Sequence, residues 1–138
     1  MLHDLDETIK KILYDEGKLN RDDIDIVFDQ PTGEWAAALS KPTINMYLYD
    51  IRENLELRNT TEVTIKRHSN GRATRHLPPR RIDVNYLVTV WARNPEDEHQ
   101  LLWRILETFL QHGFIQPEDT LGAVRDQPYK LPVRVALP

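Results

Sequence analysis

The densest group of chemically capable side chains is Glu96-Asp97-Glu98-His99. On a helix, Glu96 and His99 stand one turn apart, a spacing that metal sites use to hold an ion and activate a water. Acids at a helix start also interact favourably with the helix dipole with no ligand present, and that plainer account carries more weight. The cluster His3-Asp4-Leu5-Asp6-Glu7 has the same explanation. Asp50 and Glu53 make a second carboxylate pair, but Arg52 lies between them, so a surface salt-bridge cluster is the better account. His68, His76 and His112 show no ligand spacing. Ser40 and Ser69 lack the setting of an activated nucleophile, and the threonines lack a paired base. The five glycines are scattered, and none is followed by the Lys-Ser or Lys-Thr of a phosphate loop. With no cysteine in the chain, disulfides, thiolate catalysis and zinc-thiolate sites are excluded. The expectation is a non-enzyme with no cofactor; a metal-dependent enzyme using Glu96 and His99 is the weakest alternative.

Charge distribution says more than total charge. From Thr64 to Arg81 the chain carries Lys66, Arg67, Arg72, Arg75, Arg80 and Arg81 and no acid, although the formal net charge of the whole is −4. Such asymmetry suits a surface that meets an oppositely charged neighbour. Three accounts of this segment stand: a docking surface for an acidic protein, a solvated hairpin tip, and a phosphate-binding patch. The last is the poorest, because Lys66 to Arg81 contains no aromatic residue for base stacking and the acidic remainder repels a polyanion. Of the tryptophans, Trp91 and Trp103 sit in patterned segments and are expected in or near the core. Trp35 follows Pro31 and Gly33 in a loop, where it suits an interface hot spot and equally suits a cover on a sheet edge.

The elements that must position these residues follow from periodicity. Leu2, Leu5, Ile9, Ile12 and Leu13 form one apolar stripe on a helix of about residues 2–16, with Gly17 as a stop. Ile24 to Phe28 alternates as a short strand. Glu34 to Leu39 fits either one helical turn or a covered loop. Thr43 to Ile51 is a strand with Ile44, Met46 and Leu48 on one face and Asn45, Tyr47 and Tyr49 on the other. Glu62 to Lys66 reads as a strand and Asn70-Gly71 as a turn. Ile82 to Ala92 is the most strongly patterned strand, with Ile82, Val84, Tyr86, Val88 and Val90 on one face, and is expected to fix the core. Asn94-Pro95 caps a helix whose core face is Leu101, Leu102, Ile105, Leu106, Phe109 and Leu110. Phe114 to Tyr129 is expected as loop with one short strand near Leu121, and Leu131 to Ala136 as a strand held to an edge by Pro132. This order implies a single α+β domain over residues 1–138, with a mixed or antiparallel sheet and two helices packed on one face. No apolar run approaches the roughly 18 residues that span a bilayer, so no membrane partner is expected.

Four blocks share a family resemblance: Leu2 to Ile9; Glu34-Trp35-Ala36-Ala37-Ala38-Leu39-Ser40-Lys41-Pro42-Thr43-Ile44-Asn45 running through Tyr47 to Asn54; Pro78-Pro79-Arg80-Arg81-Ile82-Asp83-Val84-Asn85-Tyr86 running to Ala92; and Glu96 to Leu102. In this order they resemble the N-terminal domain of the cap, or tube-terminator, family of contractile injection systems, the phage-tail-like particles of bacteria and archaea. The resemblance implies a fold like that of phage tail terminators and a structural subunit at the tube end away from the baseplate. Such a subunit forms a homo-oligomeric ring, expected as a hexamer, on the last inner-tube ring. It stops tube growth and anchors the last sheath ring, so its partners are the inner tube protein and the sheath protein. The particle is assembled in the cytoplasm, with later release from the cell left open. Trp35, Arg52, Arg80 and Arg81 are the residues expected at subunit or tube contacts. Family members continue beyond the Pro132-Val133-Arg134-Val135 strand, so a further segment is expected after it. An adaptor elsewhere in the same particle is the alternative role.

Overall fold

The structure, a computed structural model, describes residues 1–58 and 64–135. The chain is α+β, with strands and helices interleaved. Its contacts form two compact units: Met1–Tyr47 with Leu87–Pro138, and Leu48–Tyr86. The strands β2 (Thr43–Glu53) and β5 (Ile82–Trp91) contribute residues to both.

The first unit begins with helix α1, Leu2–Asp15. Its stripe behaves as the spacing predicts at Ile9, Ile12 and Leu13, which are buried, while Leu2 at the frayed start is exposed. Gly17 does not supply the left-handed residue at the helix end; Lys18 does, with φ 52°. Gly17 is needed for a different reason, because a Cβ there would run into the Leu13 carbonyl oxygen and lie 3.3 Å from Thr108 Oγ1. Strand β1 (Asp25–Val27) then pairs in parallel with β2, Ile26 opposite Ile44 and Val27 opposite Asn45. The sheet order is β1-β2-β5, which makes β2 central. Burial follows from that position: Thr43, Ile44, Asn45 and Met46 are all buried in succession, so both faces of β2 are covered here.

Strand β5 forms as expected but does not fix the core. None of its residues is fully buried, and Ile82 and Leu87 are each 52% exposed. The physical reason is its place at the end of the sheet order, where one flank is short of cover. The core is built instead from Ile12 and Leu13 of α1, Ile26, Ile44 and Met46 of the strands, Val124, and Ile105 and Phe109 of helix α3, which spans Pro95–Gln111. The start of α3 is as the sequence indicates: Asn94 Oδ1 accepts the Asp97 N–H at 2.9 Å, and Pro95 occupies the first turn. Its buried face is narrower than the six-residue stripe. Leu102 and Leu110 are exposed, and so is Trp103, at 64%. At about 100° per residue, position 103 points away from the Ile105, Thr108 and Phe109 face, which corrects the expectation of a core tryptophan.

After α3 comes β6, Phe114–Ile115, paired antiparallel with β7, Leu131–Pro132. The expected strand near Leu121 is replaced by two 3₁₀ turns, Pro117–Asp119 and Gly122–Asp126. Strand β7 is shorter than expected, and Ala136 lies outside the described residues. The turns are fastened by one face of α1, where Asp4, Thr8 and Lys11 recur at helical spacing. Thr8 Oγ1 accepts the Leu121 N–H (3.0 Å), Lys11 Nζ donates to the Glu118 carbonyl (2.9 Å), and Asp4 Oδ2 accepts the Ala123 N–H (3.2 Å). The Ala123 N–H, and secondarily the N-terminal ammonium, hold the Asp4 carboxyl below its usual pKa. A depressed carboxyl contributes stability that is fully present above its unfolded pKa and lost as pH falls through the lower folded value. The melting-temperature gap between the wild type and Asp4→Asn is therefore constant from pH 7 to 5 and closes only below about pH 4. A gap that persists at pH 2.5 would show that the carboxylate charge is not what fastens the turn.

The second unit holds the end of β2, the start of β5, and a hairpin of β3 (Thr64–Arg67) and β4 (Ala73–His76). Glu62 and Val63 of the expected strand lie outside the described residues. The register pairs Ile65 with Arg75 and Arg67 with Ala73, and the Asn70-Gly71 turn closes the loop with Gly71 at φ 80°. Residues 65–77 are all exposed. No helix among the described residues is long and apolar enough to cross a membrane.

Candidate functional site

Two groups of side chains carry the interface expectation, one in each unit. In the first, Asn45 is fully buried on β2 and clamps the backbone of Asp29 from both sides. Its Nδ2 donates to the Asp29 carbonyl and its Oδ1 accepts the Asp29 N–H, each at 3.0 Å. A side-chain amide thus prolongs the β1–β2 pairing by one step beyond Val27. With its backbone fixed, Asp29 accepts the Trp35 indole N–H at Oδ2 (3.0 Å). Trp35 lies on the short helix α2, Gly33–Ala37, which settles the turn-or-loop alternative in favour of a turn of helix. Thr32 caps α2 through its Oγ1, which accepts the Trp35 backbone N–H at 3.1 Å. The Trp35 ring meets the Trp91 ring edge to face, centroids 5.5 Å apart at 83°. Trp91 is pinned in turn by its Nε1–H to Thr89 Oγ1 (3.0 Å).

Trp35 is therefore half-buried and held by both a hydrogen bond and a ring contact. Replacing it with phenylalanine keeps the ring contact and loses the bond to Asp29. The expected cost is about 0.5–1.5 kcal/mol in chemical unfolding, with the tryptophan-pair contribution to the near-ultraviolet dichroism lost and that of Trp91 against the new ring retained. An unchanged stability would mean that the indole N–H is equally well satisfied by water.

In the second unit, the end of β2 and the start of β5 bring arginines and acids together. The Asn54 N–H donates to the Arg81 carbonyl (2.9 Å), and Asn85 Nδ2 donates to Asp50 Oδ2 (3.0 Å). These contacts step in opposite directions along the two strands, as in an antiparallel pair. Asn54 Nδ2 also reaches both Asp83 carboxylate oxygens, at 3.1 and 3.2 Å, and its Oδ1 accepts the Leu57 N–H. Arg52 Nε donates to Asp50 Oδ2 at 2.7 Å, which raises the guanidinium pKa further above its usual value. Glu53 Oε1 lies 3.5 Å from Arg58 Nε and 4.0 Å from Arg80 Nε, too long or misaligned for a hydrogen bond, so this shielded oxygen is paired only by charge. Arg52 and Arg80 keep 69% and 72% of their side-chain surface exposed. Exposed pairs of this kind are worth little, so neither arginine is held tightly by its acid.

The four residues singled out in the sequence fall into separate groups: Arg52, Arg80 and Arg81 belong to the second unit and Trp35 to the first. Sequence reasoning missed Asn45 and Asp29, whose signal was an asparagine inside a β-branched strand, and the outward face of α3. That face is a shallow groove lined by Glu96, His99, Gln100, Trp103, Arg104 and Glu107. Glu96 and His99 do lie there together, exposed. Among the described residues no group of three His, Cys, Asp or Glu side chains is placed to hold a metal ion.

Comparison with known proteins adds the following. The profile of the family described as Pvc16 N-terminal domain matches residues 4–138. No curated protein matches the chain. Among solved structures, the chain is similar to one described as "Cryo-EM Structure of an Extracellular Contractile Injection System, PVC sheath/tube terminator in extended state", with 28% identity and a TM-score of 0.64. The similarity covers 84% of this chain and 40% of that one, so the chain spans less than half the length of the protein it resembles.

Proposed function

The chain belongs to the Pvc16 N-terminal domain family, and on that premise we propose that it is the sheath/tube terminator domain of a contractile injection system. The observation that carries this is the likeness, over 84% of the chain at 28% identity, to a protein described as a sheath/tube terminator. We propose further that both units form one cap-like domain, since the family match runs through both. The role is mechanical and not catalytic. Six copies form a ring on the last ring of the inner tube, present no surface to which another tube ring can add, and hold the last sheath ring. The particle is assembled in the cytoplasm. Head-to-tail contacts close such a ring, because the same two surfaces are used around the circle.

Electron microscopy of particles from cells lacking the gene tests this directly. Overlong or variable tubes, or tubes that have shed their sheath, are expected. Normal lengths with an intact sheath would transfer the cap role elsewhere and leave this chain as an adaptor. Charge reversal at Arg80 and Arg81 is expected to lower the recovery of capped particles several-fold, since long charged side chains at a contact govern both encounter and pairing. Capping at the wild-type level would remove these residues from the contact.

A further inference from the structure

We propose that the β3–β4 hairpin of one copy docks on the outward face of α3 of the next copy, and that this contact joins the subunits of the ring. The inference rests on the terminator reading and names the contact that the reading leaves open. Two observations lead to it. The first is that the hairpin is a two-stranded sheet exposed on both faces. Among the described residues, β3 and β4 pair only with each other. Ile65 is 61% exposed and Leu77, just after β4, is 76% exposed. A lone hairpin is marginally stable in water, so one that persists needs a surface against it. The second is that α3 presents Trp103, 64% exposed, in a groove with Glu96 and Glu107 on either side of it along the helix.

The two surfaces are complementary. On one hairpin face the register places Ile65 beside Arg75 and Ala73 beside Arg67, so two arginines lie diagonally about an apolar centre. Diagonal partners in such a pair are roughly 7–8 Å apart. Along α3, Glu107 lies about 6 Å and Glu96 about 10 Å from Trp103, on opposite sides, at 1.5 Å of rise per residue. Arginines over the indole face can therefore stack on it and reach an acid at each end. Arg104, the one arginine or lysine among the described residues lining the groove, donates its Nη1–H to the Gly17 carbonyl at 3.1 Å. The charge balance favours a second copy as the occupant. Residues 64–81 carry six basic side chains and no acid, so a total of −4 leaves the rest of the chain at −10. Each copy thus carries a segregated cation and a surplus of anion, and head-to-tail contact neutralises one with the other. Because hairpin and helix are different surfaces, a dimer leaves one of each open, and growth stops only on closure.

The test is reciprocal charge exchange in the full-length protein, with oligomeric state read by mass photometry at low and high salt. Arg67→Glu with Arg75→Glu, and separately Glu96→Lys with Glu107→Lys, are each expected to raise the concentration for half-assembly about tenfold or more. Combining all four is expected to restore assembly, and salt is expected to weaken the wild type. All four positions are exposed, and unchanged melting curves show that the variants fold. Trp103→Ala is expected to weaken assembly without changing net charge. A wild-type protein that stays monomeric, assembly indifferent to both reversals, or loss without restoration would overturn the contact. So would a hairpin reversal that spares self-assembly but abolishes binding to purified tube rings, which would assign the hairpin to the tube. Failure of the contact alongside overlong tubes in the deletion strain removes only the contact, whereas normal tubes in that strain remove the terminator reading itself.

Discussion

Asn45→Ala is expected to cost about 1–4 kcal/mol. The substitution leaves both the N–H and the carbonyl of Asp29 without the partner that holds them at 3.0 Å. Each of the two part-buried hydrogen bonds is worth roughly 0.5–1.5 kcal/mol, and a small cavity at the fully buried side-chain position adds to the loss. The damage also travels: Asp29 no longer presents its carboxylate to the Trp35 indole, so the Trp35–Trp91 pair loosens with it. Urea unfolding of the variant checks the magnitude, and tryptophan dichroism checks the path. Asn45→Asp separates the contributions further. A carboxylate at this fully buried position still accepts the Asp29 N–H but sets its other oxygen against the Asp29 carbonyl; burial and that repulsion push its pKa up, so the variant is most stable when protonated and loses stability as pH rises from 4 to 8. A variant as stable as wild type would mean that Asp29 finds water or another partner at little cost.

Gly122→Ala is expected to free the 3₁₀ turns from α1. Gly122 has φ 55°, and the left-handed backbone alone costs an alanine roughly 1–2 kcal/mol. An added Cβ would also collide with the Asp4 carboxylate, which accepts the Ala123 N–H and lies 3.3 Å from the N-terminal ammonium. The melting temperature should fall by about 4 °C or more. The distinctive readout is hydrogen exchange: the Leu121 and Ala123 amides should lose protection together, while those in the middle of α3 keep theirs. Uniform loss of protection along the chain would instead mark a general destabilisation, and Gly122 would not be a local latch.

Much of the fold was legible in the sequence, and the failures have specific causes. Period and capping located α1, β2, β5 and α3, because long amphipathic segments repeat their signal many times. The same patterns misjudged depth. β5 has the best alternation in the chain and no fully buried residue, since alternation reports two unlike faces and not what covers either. Trp103 was placed in or near the core because it sits in a patterned segment, although the helical angle from Ile105 turns it outward. Asn45 was placed with Tyr47 and Tyr49 on the second face of a strand, whose cover the pattern left open; the residue is fully buried and bonded to the Asp29 backbone. The turns at 117–126 have no period of their own; they are shaped by Asp4, Thr8 and Lys11, and no local pattern foretells a partner more than a hundred positions away.

That last separation bears on how the chain reaches its fold. Thr8 is fully buried, and its hydroxyl oxygen accepts from the Leu121 amide, 113 positions along the chain. Asp4 and Ala123 are farther apart still, at 119. During synthesis α1 emerges more than a hundred residues ahead of the 117–126 segment, and the polar face that carries Asp4 and Thr8 waits for it. Contacts of such long range close late and slowly, because loop entropy is spent before any of them forms. A chain stalled before the 117–126 segment would leave Asp4, Thr8 and Lys11 without these partners, an incomplete fold of the kind prone to misassembly. The polar face of α1 is thus completed only once the chain has been translated through this stretch.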